Sequence, residues 1–156
     1  MAEHESNGHD VILMAEDDHD YFVLTREALR GIGGRGVDIE WVEDGDDCLD
    51  YLLRRGRFAG RASAQPRMIL LDLNMPRMNG HEMLAEMHEY PELRAIPVVV
   101  LTASRAQEDV ERAYALGARS YIAKPFHYED LLEVAATFST YWFETVRLPG
   151  AEPAGH

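Results

Sequence analysis

The sequence predicts an α/β fold, a parallel sheet with helices on both faces, and three observations carry that prediction. Five short apolar runs alternate with five amphipathic stretches along the chain. Two of the runs, MILL (68–71) and VVVL (98–101), are apolar at every position, as strands buried on both faces must be. The chain of 156 residues, 46% of them apolar, is long enough to bury one full core without disulfides or a structural metal.

The elements follow in order. VILMA (11–15) is the first apolar run, and VDIEWV (37–42) alternates like a half-buried strand. MILL, VVVL and SYIA (120–123) complete five strands. Helical spacing appears over 21–29, 48–53, 83–89, 110–116 and, longest, 128–147. Gly31, Gly56, Pro91 and Gly117 stand where these helices should end. The stretch RRGRFAGRASAQPR (54–67) reads as an exposed basic loop, and 1–9 and 149–156 read as polar tails. Only 33 residues follow the fifth run, room for one helix and a tail rather than a second domain.

Composition excludes several classes of function. The 28 acidic residues against 15 basic ones leave a net charge of −13, which repels phosphate backbones and anionic lipid, so neither nucleic acid nor membrane is an expected partner. A solvated acidic face is the plain account of the excess. No apolar segment is long enough to span a bilayer and the polar start is no signal peptide, so a cytoplasmic protein is expected. The single cysteine, Cys48, fits a reducing compartment and reads as a small buried residue. Of the 15 cations only Lys124 is lysine.

In a parallel sheet of this kind ligands bind beyond the carboxyl ends of the strands. Here the first strand runs into Glu16, Asp17 and Asp18, the third ends at Asp72, the fourth at Thr102, and the fifth runs into Lys124 and Pro125. Carboxylates gathered at one rim repel one another unless a cation joins them. A small hard cation such as Mg²⁺, which takes carboxylate, water and phosphate oxygens, answers that need. Lysine is a compact charge suited to a phosphoryl oxygen, whereas arginine offers a planar fork. An ionised aspartate can be the nucleophile towards phosphorus, forming an aspartyl phosphate. Asp72 as phosphoacceptor, Mg²⁺ at Glu16 and Asp17, and Thr102 and Lys124 on phosphoryl oxygens would meet the needs of such a transfer.

Four pieces, LMAEDD, LLDLNMPRMNG, VVVLTAS and YIAKPF, resemble in order and spacing the receiver domains of two-component response regulators, over 10–148. The resemblance implies a doubly wound sheet of order 2-1-3-4-5. It makes Asp72 the phosphorylated residue and Glu16 and Asp17 the acidic pair for Mg²⁺, with Asp72 itself and the Asn74 backbone carbonyl as further ligands. Thr102 becomes the switch hydroxyl and Tyr121 the aromatic that follows it. Lys124 contacts the phosphoryl group, and the peptide between Lys124 and Pro125 is expected to be cis. Asp18 stands where other residues are common and would make the pocket more negative. The loop before MILL, the stretch YPELRAIPVVVLTAS and the ending FSTYWFETVRLP are similar to small regulators that partner phytochromes. That likeness implies a phytochrome-type histidine kinase as donor, although related receivers serve other kinases, and it leaves the downstream protein unnamed.

On the last helix Leu131, Leu132, Ala135, Phe138 and Trp142 form one apolar stripe, the core face. Tyr141 and Phe143 fall outside it, and with Trp142 they are the candidate surface of a homodimer, plain core packing being the alternative. His81 and His88 share a helix face without zinc spacing and are expected to be solvated; GIGGRG (31–36) follows a helix rather than a strand and is wrongly placed for phosphate. Two other functions compete with the phosphoryl switch. One is a docking module that works without phosphorylation, against which the complete Asp, Thr and Lys set argues. The other is an aspartyl phosphohydrolase, against which Asn74 argues, because such enzymes place a second acid there.

Overall fold

The structure, a computed structural model, describes residues 10–33 and 37–140. Five strands, β1 (Asp10–Ala15), β2 (Val37–Val42), β3 (Met68–Leu71), β4 (Val98–Thr102) and β5 (Ser120–Ala123), pair in parallel in the order β2-β1-β3-β4-β5. Helices α1 (His19–Gly33), α2 (Gly45–Leu53), α3 (Gly80–His88), α4 (Gln107–Ala115) and α5 (Tyr128–Thr140) connect or follow them. Class and strand order are those predicted. The tails, and Tyr141, Trp142 and Phe143, lie outside the described residues.

Side chains alternate across each strand and so build two cores. Leu13 and Ala15 of β1, Ile69 and Leu71 of β3, and Val98 and Val100 of β4 face one way, packing with Leu49, Leu52, Met83 and Leu84 of α2 and α3. Ile12, Met14, Met68, Leu70, Val99 and Leu101 face the other way, against Phe22, Ala28 and Leu29 of α1 and Leu131 and Ala135 of α5. Leu132 and Phe138 pack on this second core, as the predicted stripe requires.

The helix ends differ from the expected ones for local reasons. The α1 helix begins earlier than 21 because Asp18 Oδ1 accepts from the amides of Asp20 (3.0 Å) and Tyr21 (3.3 Å). Asp18 is therefore turned to a helix end rather than added to the acidic pocket. The α2 helix stops at Leu53, short of Gly56, because Arg54 takes the left-handed conformation (φ 55°) and returns its amide to the last carbonyls. At the start of α3, Asn79 and Glu82 form a reciprocal cap. Gly80 is required there, since a Cβ would lie 2.6 Å from the Asp72 carbonyl oxygen.

One expectation about the surface is refined and another corrected. The 54–67 loop is not simply exposed, because Arg61 stacks on Tyr51 (3.9 Å to the ring centroid) and donates to the carbonyls of Tyr51 (2.7 Å), Ser63 and Ala64. His81 is buried, with Nε2 3.4 Å from the Asp109 carbonyl, because its side of α3 meets the start of α4; His88, on the same helix, is solvated as expected.

Candidate functional site

The carboxyl ends of β1, β3, β4 and β5 converge on one rim, and backbone bonds between strands fix its members. The amide of Glu16 donates to the Val42 carbonyl (3.0 Å), that of Asp72 to Ala15 (3.0 Å) and that of Lys124 to Thr102 (2.8 Å). The Trp41 indole donates to the Glu16 carbonyl (2.7 Å), tying the first acid to β2. The side chains are thus delivered by the sheet rather than by loops.

Glu16, Asp72 and Thr102 are buried, Asp72 being 4% exposed. Asp72 Oδ1 accepts from the Thr102 hydroxyl at 2.7 Å and from the Asn74 amide at 3.2 Å. Asp72 Oδ2 accepts from Lys124 Nζ at 3.1 Å. The same ammonium lies 2.9 Å from Glu16 Oε1 and donates to Oε2 at 3.1 Å, bridging the two acids. Oε1 is buried without an aligned hydrogen bond, so Coulomb attraction alone serves that oxygen. Asp17 is exposed at the mouth.

Electrostatics follow from this crowding. Burial, and then the charge of Asp72, push the Glu16 carboxyl up to about 7, and Lys124 offsets only part of the rise. For Lys124, burial works against the ammonium, but the hydrogen bond and charge of Glu16, with those of Asp72, outweigh it and leave its pKa raised.

Glu16, Asp17 and Asp72 place carboxylate oxygens within 4.8 Å of one another. All these donors are oxygen, one is buried without an aligned partner, and the excess charge is negative. The set therefore fits a small divalent cation of the Mg²⁺ or Mn²⁺ kind.

Of the predicted residues, Glu16, Asp17, Asp72, Asn74, Thr102 and Lys124 come together at this rim. Tyr121 stands on β5 with its hydroxyl donating to the Ser104 carbonyl (2.9 Å), in the loop that follows Thr102. The peptide between Lys124 and Pro125 is trans, since no described peptide is cis. That corrects the cis expectation: an ordinary Xaa–Pro bond favours trans by about 0.5–1 kcal/mol, and Lys124 reaches both acids without the cis form.

Three residues near the rim carried no weight in the sequence. Tyr21 lies against Lys124, with Nζ 4.4 Å from the ring centroid. Its position on the first turn of α1, directly after the acidic run 16–18, could have placed it there. Arg77 (φ 63°) forks onto Asp44, Nε to Oδ2 at 2.9 Å and Nη2 to Oδ1 at 3.2 Å, while Asp44 also caps α2 through the Asp47 amide. The fork ties the loop after Asp72 to α2, and no periodicity marks either partner.

A parallel sheet of order 2-1-3-4-5 that gathers acids, a hydroxyl and a lysine at one edge defines the receiver class of signalling switches. The chain belongs to the response regulator receiver domain family, whose model matches residues 12–136. It is 38% identical over 149 residues to the response regulator Rcp1 of Synechocystis sp., covering 94% of this chain and 98% of that protein. It is 42% identical over 140 residues to the "Probable methanogenesis regulatory protein FilR2" of Methanothrix harundinacea, covering 90% of this chain and 88% of that one. Among solved structures, the phosphorylated cyanobacterial phytochrome response regulator RcpA superposes with a TM-score of 0.83 at 34% identity, over 91% of this chain and 99% of its own. The Mn²⁺-bound form of Rcp1 superposes with a TM-score of 0.80 at 36% identity, over 90% and 99%. Receiver domains accept phosphoryl groups rather than turn over substrates. Among the described residues no helix is long and apolar enough to cross a membrane.

Proposed function

We propose that the protein is a response regulator that accepts a phosphoryl group on Asp72 from a histidine kinase, of the phytochrome type, and signals through a changed protein surface. The observation that carries the reading is the Asp72 carboxylate, buried, held by Thr102 on one oxygen and Lys124 on the other, beside Glu16 and Asp17. The likeness to RcpA and Rcp1 supports the choice of donor.

In the proposed reaction an Asp72 carboxylate oxygen attacks phosphorus. The P–N bond of the donor phosphoimidazole breaks, its electron pair stays on the imidazole, and an O–P bond forms. Glu16, Asp17, Asp72 and the Asn74 carbonyl would hold Mg²⁺, which supplies charge neutralisation between carboxylates and phosphoryl oxygens when bound. Lys124 shifts from carboxylate to phosphoryl oxygen, and the Thr102 hydroxyl turns to another. Movement of Thr102 loosens the loop through Ser104, freeing the Tyr121 hydroxyl, so the face of α4 and β5 changes for a partner. The protein acts in the cytoplasm as a homodimer.

The test is incubation with Mg²⁺ and acetyl phosphate, reading intact mass and size in solution. One phosphoryl group, dependent on Mg²⁺ and lost in Asp72→Asn, is the expected result. No adduct on the wild type sinks the switch and favours a docking module.

A further inference from the structure

Tyr21, on the first turn of α1, faces the reacting groups without a role in the receiver mechanism. Lys124 Nζ lies 4.4 Å from its ring centroid, and the phenol also feels the charges of Glu16 and Asp72. The hydroxyl is buried and has no hydrogen-bond partner among the described residues. Burial first, with Glu16 and Asp72 adding to it against Lys124, pushes the phenol up to about 12, so the ring is neutral at physiological pH.

Lysine has a flexible four-carbon stem, and this one must hold its ammonium between two acids and then follow a phosphoryl oxygen. Hydrogen bonds to Glu16 and Asp72 are directional and break as the ammonium moves. The attraction of a cation to a ring face is broad in direction and persists through a small displacement. A ring beside the ammonium also keeps water from that side of it, which strengthens its pull on phosphoryl oxygens.

We infer that Tyr21 is a positioning residue for phosphoryl transfer, its ring face serving as the surface along which the Lys124 ammonium moves from Asp72 to the incoming phosphoryl group. The inference rests on Asp72 being the phosphoacceptor. It assigns the work to the ring and none to the hydroxyl, so phenylalanine substitutes and an aliphatic side chain does not.

The experiment compares wild type, Tyr21→Phe and Tyr21→Leu in the full chain. The maximal rate of phosphoryl incorporation from acetyl phosphate is measured at saturating Mg²⁺. Mg²⁺ affinity is read from tryptophan fluorescence, since the Trp41 indole donates to the Glu16 carbonyl. Tyr21→Leu slows the maximal rate about tenfold with Mg²⁺ affinity kept, and Tyr21→Phe matches the wild type. Because Lys124 is the only lysine, ¹³C-lysine labelling isolates its ε-methylene, whose ring-current shift persists in Tyr21→Phe and vanishes in Tyr21→Leu. A wild-type rate in Tyr21→Leu overturns the inference, as does a loss of Mg²⁺ affinity as large as the loss of rate. Equal damage from Tyr21→Phe moves the role to the hydroxyl and overturns it too. If the wild type accepts no phosphoryl group, the phosphoacceptor reading falls and takes this one with it. The ring-current shift then reports separately whether the contact exists.

Discussion

The rim of the sheet carries two clusters built from the same materials, acids around one cation, and they differ in how well each charge is satisfied. At Asp44 a planar arginine fork meets both carboxylate oxygens and a helix amide meets one again, while the Arg77 guanidinium keeps most of its contact with water. Burial works against the Asp44 charge, but these bonds outweigh it and hold its carboxyl below the usual range. At Glu16 a single ammonium is shared between two buried acids, and Glu16 is pushed up to about 7. A well-satisfied pair fixes a loop. A crowded and under-satisfied one leaves free energy for an arriving ligand to collect.

The largest effect that would break this contrast is expected at Lys124. Lys124→Met leaves two buried acids facing each other, and urea unfolding in EDTA at pH 8 should show a loss of about 3 kcal/mol. The loss should shrink at pH 5, where Glu16 takes a proton. An equal loss at both pH values would show that packing rather than charge is at stake.

Next comes the pH dependence of the metal-free protein. Glu16 has a raised folded pKa, so its contribution is fully present below about 4.5 and is lost as pH rises through about 7. Glu16→Gln should remove this slope, making the variant more stable than wild type by about 3 kcal/mol at pH 8. Asp44 has the opposite sign, its contribution being present above 3.8 and lost as pH falls through its lowered folded value. Acid unfolding below pH 3.8 should therefore persist in Glu16→Gln and weaken in Asp44→Asn. Addition of Mg²⁺ at pH 8 should raise the melting temperature of the wild type and leave that of Glu16→Gln unmoved; an equal rise in both would place the cation elsewhere.

The smallest effect is expected at the satisfied pair. Arg77→Gly removes the fork from the buried Asp44 carboxylate but leaves it the Asp47 amide, and it relieves a left-handed backbone that glycine adopts freely. Its unfolding midpoint should move least of the set, with phosphoryl incorporation within about twofold of wild type. A loss of incorporation as large as that of Tyr21→Leu would make the Arg77 clamp part of the transfer machinery.

The sheet and its acidic rim were legible because both are written locally. An apolar strand that ends in Asp72, or in Thr102, announces its own direction and its exit point. Helix starts were less legible where a side chain such as Asp18 extends the helix backwards. Arg61, Arg77 and the burial of His81 were hidden for a different reason. Each depends on a partner that the fold brings from another segment, Tyr51, Asp44 and Asp109 respectively. The trans peptide before Pro125 belongs to the same group, since an isomer is set by tertiary surroundings and not by the dipeptide.

The arginine that anchors the 54–67 loop has a consequence for how the chain meets a protease. Its guanidinium also donates to the Gln65 side chain (2.7 Å), and Gln65 in turn donates to the Leu52 carbonyl (2.7 Å). The segment is thus fastened to the end of α2 by side-chain bonds that owe nothing to the strand ladder. Limited trypsin digestion should cut at the exposed arginines 54, 55 and 57 and leave two fragments joined by an intact sheet. In Arg61→Ala the same cuts should come faster while thermal unfolding of the sheet changes little, making this segment a latch whose opening is separable from global unfolding.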